Sequence, residues 1–260
     1  MKVPYKFIFD RLKEPISIDE ISDKFFQLGH EHTIDDDVFD FELTPNRGDC
    51  ISLNGLLRDL KSFYDLNNEF NIYNKPIPDL EINFSNKAVR YCPHISFLKI
   101  EINKNSIKKN YKDYLNDYFL LLGNKKINFF TDISNYISYE LGQPTHCYDS
   151  TKINDEIVLE ISESEETFTT LLDNKIELSD KNLIFKSKNE IINLAGIMGS
   201  KSTMCDENTI SVIIECAYFN PEAIIGKSLK YDLQSDAAHK FERSTDPMCH
   251  EIVLRRFVQI

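Results

Sequence analysis

Glycine and proline are scarce in this 260-residue sequence, at eight and nine copies, which excludes a collagen-like, elastic or linker-dominated chain. No apolar run approaches the roughly 20 residues that a membrane span needs. The opening MKVPYKFIFDRLKEP has only the short FIF where a signal peptide needs an apolar stretch of about 7–15 residues. No membrane partner and a cytoplasmic setting are therefore expected. The six cysteines (50, 92, 147, 205, 216 and 249) make no CxxC pair and no dense framework, as expected of reduced thiols in a cytosolic protein. Positive charge is in deficit, with 30 Lys and Arg against 42 Asp and Glu and a net charge of −12. That argues against gripping long nucleic acid through a general phosphate field, and leaves room for a local contact to one end of an RNA. Catalytic signatures are missing too. There is no GxSxG, P-loop, HExxH or GxGxxG, so triad hydrolysis and nucleotide-binding chemistry have little support.

What is present is ordinary globular composition, 42% apolar and 28% charged, enough for a sizeable core. Ser17 with Glu20 three residues on is a capping box; Ile21, Phe25 and Leu28 form one helix face and Gly29 stops it. The acidic Asp35-Asp36-Asp37 leads into Val38–Leu43, whose alternation predicts a half-buried strand. Turn residues crowd Thr44–Asp49, and Leu53, Leu56, Leu57 and Leu60 recur at helical spacing. The polar stretch 67–79, with Pro76 and Pro78, reads as a linker. Beyond it the spacing predicts a strand over 94–102, helices ending at Gly123 and Gly142, and short strands from Ile157 onward with a turn at Asp173-Asn174. SVIIECAYF is a further strand, and Pro221 opens the helix after it. The expected architecture is α+β. Residues 1–80 form a small helix–strand–helix unit with its linker, and 81–260 a larger domain of mixed sheets and flanking helices.

Basic pairs at Lys108-Lys109, Lys125-Lys126 and Arg255-Arg256 read as solvated surface charge, and His30 and His32 as exposed polar residues near a helix end rather than a metal fragment. No metal site is expected. Glu215, between Ile214 and Cys216, is either an outward-facing carboxylate or a buried acceptor in a pocket, and alternation alone favours outward. Gly196 and Gly199 permit close backbone approach or serve a turn.

Four dense strings remain: TDISNYISYELGQPTHCYD (131–149), NLAGIMGSKST (193–203), IIECAYFNP (213–221) and LQSDAAHKFERSTDP (233–247). Together, and in one order, they resemble the editing domain of the bacterial phenylalanyl-tRNA synthetase beta subunit. FELTPNRGDCISLNGLLRDL (41–60) resembles the segment just before that domain. In most family members a tRNA-binding oligonucleotide-fold domain is inserted after the first helix. Here Glu31 to Asp37 occupy its place, and the family continues beyond the position of Ile260.

The resemblance implies post-transfer editing, the hydrolysis of Tyr-tRNA(Phe), with no aminoacylation by this chain alone; the alternative is a non-catalytic module for tRNA positioning or subunit assembly. Partners would be the tRNA(Phe) acceptor end and the synthetase alpha subunit. No cofactor is implied for this chain, since ATP and Mg serve only the complete synthetase. By motif, the phenol-sensing acceptor falls on Glu215 and the residue leaving room for the ring on Gly196. Ser235 and Ala237 bound the pocket, while Asn135, Ser134 and His146 lie near the ester. Departures are Ser235 for Thr, Gln234 for His, Ser200 for a second glycine and Ser244 for the glycine after FER.

Overall fold

Alternation in β3 (Val38–Glu42) turns Phe39 and Phe41 inward and leaves Asp40 and Glu42 to the outside. The computed structural model describes residues 1–67, 69–103, 111–153, 156–162, 165–179 and 181–260. β3 is the middle strand of a three-stranded sheet, flanked by β1 (Lys2–Pro4) and β2 (Glu31–Asp35). The acidic stretch is a hairpin rather than a lead-in. Asp35 pairs with Val38, and Asp36 and Asp37 between them both take positive φ, 44° and 62°. A two-residue hairpin turn of this hand needs positive φ at both central positions, and Asp tolerates it better than most residues.

Helices α1 (Tyr5–Phe9), α2 (Ile18–Gln27) and α3 (Leu53–Leu60) cover this sheet. The Ser17 half of the predicted capping box is present, its Oγ accepting from the Glu20 amide at 3.3 Å, while the Glu20 carboxylate accepts instead from the Tyr64 hydroxyl at 3.0 Å. Phe25 packs edge-on against Phe39 and Phe41. His30 and His32 are not exposed. Both are buried against Phe25, His30 bonding Asp59 at 2.9 Å and His32 bonding Ser22 at 2.8 Å. Residues beside the glycine that ends α2 turn inward because β2 starts there, which local polarity does not reveal.

Downstream, β4 (Asn83–Asn86) and β5 (His94–Glu101) precede α4 (Asp113–Leu122) and α5 (Phe129–Leu141). β6 (Thr145–Asp149) leads to β7 (Glu156–Ser162), β8 (Glu166–Thr169), β9 (Lys175–Leu178), β10 (Asn182–Ser187), β11 (Glu190–Leu194) and β12 (Met198–Gly199). β13 (Ser211–Tyr218) is followed by α6 (Pro221–Ile224), α7 (Lys227–Lys230), α8 (Asp236–Phe241) and α9 (His250–Gln259). β13 lies between β5 and β6 in one sheet, while β12-β11-β10-β7-β4 form another. One face of β13 packs Val212, Ile214 and Cys216 against Ile133 and Ile137 of α5 and Val253 and Phe257 of α9. Its other face looks towards Ile184, Ile192 and Leu194 of the five-stranded sheet. The N-terminal core takes in Leu115, Tyr118 and Phe119 of α4 and Tyr136 and Tyr139 of α5.

Arg255-Arg256 is not solvated surface charge. Arg256 is 6% exposed and forms a two-pronged pair with Glu140 of α5, at 2.7 and 2.9 Å. The stretch expected as a linker has no helix or strand among its described residues, yet Arg255 and Arg256 hold its carbonyls at Asn71, Tyr73 and Lys75. Lys108-Lys109 lies outside the described residues.

The ELTPNRGDC turn meets the turn after α8. A Cβ at Gly48 would stand 2.4 Å from the Arg243 carbonyl oxygen, so only glycine fits. In that opposing turn Ser244 has φ +69°, a conformation that costs a side-chain-bearing residue about 1–2 kcal/mol. Its hydroxyl contacts, 3.5 Å to Tyr218 and 3.4 Å to the Thr245 carbonyl, are long. Ser244→Gly is expected to stabilise the chain by about 0.5–1 kcal/mol after the added freedom of glycine in the unfolded state is offset. Urea midpoints read this directly, and a lower midpoint for the variant would refute the strain.

Candidate functional site

Strand register brings the first functional pair together. Glu215 of β13 lies directly opposite His146 of β6, so their side chains emerge on the same face. Tyr148, two residues on from His146, shares that face, as alternation requires. Across from it, β11 contributes Asn193. Together with the 195–199 turn, α8 and the first half of α5, these strands enclose a cavity of about 370 Å³. That is the low end of the usual range for small-molecule pockets. Leu171, Ile197, Met198, Phe219 and Phe241 give it an apolar wall.

Glu215 is its buried acid, 3% exposed. The pocket alternative holds and the outward one does not, because both faces of β13 are covered. Tyr148 donates to Glu215 Oε2 at 2.6 Å, and Asn193 Nδ2 donates to the same oxygen at 3.4 Å and to the Tyr148 hydroxyl at 3.0 Å. Oε1 accepts no hydrogen bond among the described residues. Burial pushes this carboxyl up to about 7, and the bonds from Tyr148 and Asn193 only partly oppose it. Near neutral pH both protonation states are therefore populated, and Oε1 remains for a ligand.

His146 sits beside Tyr148, ring centroids 4.4 Å apart. Its Nε2 is sequestered without a hydrogen-bond partner among the described residues, and burial lowers its pKa to about 4. The ring is neutral at pH 7, able to accept or orient but not to deliver a proton as a general acid. Gly199 makes room for it, since a Cβ there would come within 2.2 Å of His146 Cε1. Gly196 has φ +71°, and a Cβ on it would come within 2.9 Å of Ile224, 3.0 Å of Phe219 and 3.2 Å of Phe241. Ala237 lines the cavity beside it.

The remaining expected residues also border the cavity, with their hydroxyls engaged. Ser134 Oγ donates to the Thr145 carbonyl and pairs with Thr145 Oγ1, both at 2.7 Å, which leaves it a clamp between α5 and β6. Ser235 caps α8, accepting from the Ala238 amide at 3.1 Å and donating to the Ile197 carbonyl at 2.9 Å. Asn135 is exposed at the rim. Ser200 takes an ordinary extended conformation, φ −86°, and its hydroxyl donates to the Thr169 carbonyl, so serine is unstrained there.

Tyr148 and Asn193, the two partners of Glu215, were not singled out from sequence. Period-2 spacing from His146 and Asn193's place in an apolar strand were the available signals. Among the described residues, one grouping brings metal-ligand atoms within 4.8 Å of one another: His30, Cys50 and Asp59 in the N-terminal unit. A guanidinium already serves that cluster. Arg47 lies 2.6 Å from Asp59 and 2.7 Å from Cys50 Sγ, and burial pushes the Cys50 thiol up to about 12.

The B3/4 domain family matches residues 96–260. Over 236 residues the chain is 31% identical to the phenylalanine--tRNA ligase beta subunit of Psychrobacter arcticus, covering 87% of this chain and 29% of that protein. Identity to the phenylalanine--tRNA ligase beta subunit of Legionella pneumophila (strain Lens) is 32% over 237 residues, with the same coverage. The chain thus spans 29% of the length of these relatives. A solved N-terminal fragment of the phenylalanyl-tRNA synthetase beta-subunit from Pyrococcus horikoshii aligns at TM-score 0.45 and 13% identity, over 86% of this chain and 70% of that one.

Proposed function

The chain belongs to the B3/4 domain family, and from that premise we propose that its cavity hydrolyses the ester of tyrosine mischarged onto tRNA(Phe). A phenylalanine-selecting pocket rejects an added hydroxyl only weakly, by about 10² for comparable cases, so a second site that demands the hydroxyl restores accuracy. The observation that carries this reading is Glu215, a buried carboxylate on an otherwise apolar cavity with Oε1 unused. The tyrosine phenol donates to Oε1, while its ring lies where Gly196 and Ala237 withhold side-chain bulk. Phenylalanine would leave Oε1 without a partner, a loss of about 1–3 kcal/mol.

A water then attacks the acyl carbon. Its oxygen bonds to that carbon, the ester bond to the ribose oxygen breaks, and the proton passes to the ribose oxygen. His146, neutral at this pH, orients the water, and Asn135 faces the ester from the rim. The reaction draws on no cofactor in this chain. Its proposed partners are the tRNA(Phe) acceptor end and the synthetase alpha subunit, in a cytoplasmic setting.

Deacylation of Tyr-tRNA(Phe) and Phe-tRNA(Phe) by this chain, with Glu215→Ala alongside, tests the proposal. The expected result is loss of the tyrosyl ester at least tenfold faster than the phenylalanyl ester, with that preference gone in the variant. No hydrolysis either alone or with alpha subunit and the rest of a beta subunit supplied would leave a tRNA-positioning or assembly module.

A further inference from the structure

Two buried side chains hold Glu215 from behind. Tyr148 comes from β6, next to β13 in the same sheet, and Asn193 from β11 in the facing sheet. Asn193 and Glu215 border the cavity, whereas Tyr148 does not line it. Asn193 Nδ2 donates to the Tyr148 hydroxyl at 3.0 Å, so that hydroxyl must spend its single hydrogen on Glu215 Oε2, 2.6 Å away. The amide also donates to Oε2, at 3.4 Å. Only its NH₂ edge suits this place, because the carboxylate oxygen and the phenol oxygen both need donors. Oε2 thus meets donors alone, and a proton taken up by Glu215 goes to Oε1. Oε1 is then an acceptor while the acid is ionised and a donor once it is protonated.

We propose that Tyr148 and Asn193 are the positioning residues for hydroxyl recognition in this cavity, filling Oε2 so that Oε1 alone faces the para substituent of a bound ring. That the ring belongs to a tyrosyl ester rests on the editing reading above. A phenol that donates to ionised Oε1 gains a charge-assisted bond, roughly twice as strong as a neutral one. Without Tyr148 the carboxyl can turn over, and its proton can occupy either oxygen. The loss also removes a donor that opposes the effect of burial on Glu215, so the acid would ionise at higher pH. Other groups facing Glu215 do not compete in that range. His146 is neutral at pH 7, burial keeps Tyr148, Cys92, Cys147 and Cys216 protonated, and β5 presents Phe97 opposite. Asp236, elsewhere on the cavity wall, is paired with Lys240 at 3.0 Å.

The test is NMR titration of the whole chain with p-cresol and toluene, the side-chain analogues of tyrosine and phenylalanine, from pH 5 to 9 and beside the deacylation assay. Wild type should prefer p-cresol, most strongly at the alkaline end, with the preference shrinking as pH falls through about 7. Tyr148→Phe should cut that preference about 3- to 10-fold at pH 7, the worth of one hydrogen bond, and move its midpoint to higher pH. Asn193→Ala should shift both the same way by less, since its own bond to Oε2 is long. It also carries the test if Tyr148→Phe does not fold. In a Glu215→Ala background Tyr148→Phe should change the preference no further, as expected of a residue that acts through another. No p-cresol preference in wild type, or a preference and midpoint that neither variant moves, overturns the proposal. So does an equal loss for both ligands with the midpoint unmoved, which would make the pair merely structural. The expected shifts without any deacylation would sink the editing reading and keep the positioning pair. Tyrosyl-selective deacylation indifferent to both variants would keep editing and sink the pair.

Discussion

Replacing Glu215 with glutamine is expected to stabilise the fold by about 3 kcal/mol above about pH 8 and not at all near pH 4. The side chain is nearly isosteric and still offers an oxygen to Tyr148, so the two proteins differ mainly in one ionisation. Burial raises the native carboxyl to about 7 from an ordinary 4.5. Below about 4.5 both folded and unfolded chains hold the proton, and wild type and variant match. Between about 4.5 and 7 the unfolded chain ionises first, so wild-type stability falls as pH rises. Above about 7 the folded acid ionises too and the difference levels off. His146 titrates in both proteins, and its contribution cancels to the extent that it is independent of Glu215. Urea unfolding of the pair at intervals from pH 4 to 8 measures the curve. A difference that stays flat across that range would mean that Glu215 is not the buried acid described here. The same variant keeps an acceptor for a phenol but loses the charge, so tyrosyl-ester hydrolysis should suffer less than in Glu215→Ala.

Why Glu215 was ambiguous in the sequence is visible in its strand. From Val212 to Ala217 every residue of β13 is buried, because helices cover one face of the sheet and a second sheet covers the other. Period-2 alternation reports exposure only when one face meets water. Here both are covered, and the pattern that favoured an outward carboxylate had nothing to report. β3 is the contrasting case. One of its faces is covered and the other open, and its alternation was legible. Helices α2 and α3 were legible for the same kind of local reason, α2 from its cap and apolar spacing and α3 from its apolar spacing, all contained within a dozen residues.

β6 was not legible as a strand. Pro144 precedes it, and Thr, His and Asp interrupt its apolar residues, so its strand character comes from pairing with β13. What the motif strings did carry was location. Glu215, Gly196, Ala237, Ser235, Ser134, Asn135 and His146 all border one cavity. The role of Glu215 depended on partners 67 and 22 positions away, Tyr148 and Asn193, and no local string encodes those.

Arg256 is a further instance, with Glu140 116 positions distant, and it carries the other large expected effect. Glu140 is 1% exposed, and its carboxylate is met by Arg256 Nε and Nη2 and by the Tyr136 hydroxyl at 2.8 Å. The guanidinium also lies over the Tyr114 ring and donates to the Asn71 carbonyl. Arg256→Ala removes all of this and strands a buried charge, at an expected cost of about 3–5 kcal/mol. Domains of ordinary stability hold about 5–15 kcal/mol in total, so the variant should unfold at much lower urea concentration. Arg256→Lys should recover only part, since one ammonium cannot reproduce the fork. The decisive arm is the double variant Arg256→Met with Glu140→Met. Removing both charges together eliminates the unpaired one, so it should be more stable than Arg256→Ala. If it were no better, the loss would come from packing between α5 and α9 rather than from charge. A second consequence reaches the cavity, because α5 carries Ser134 and Asn135 on its first half and Glu140 near its end. Loosening α9 from α5 should therefore weaken ligand binding even in conditions where the chain remains folded.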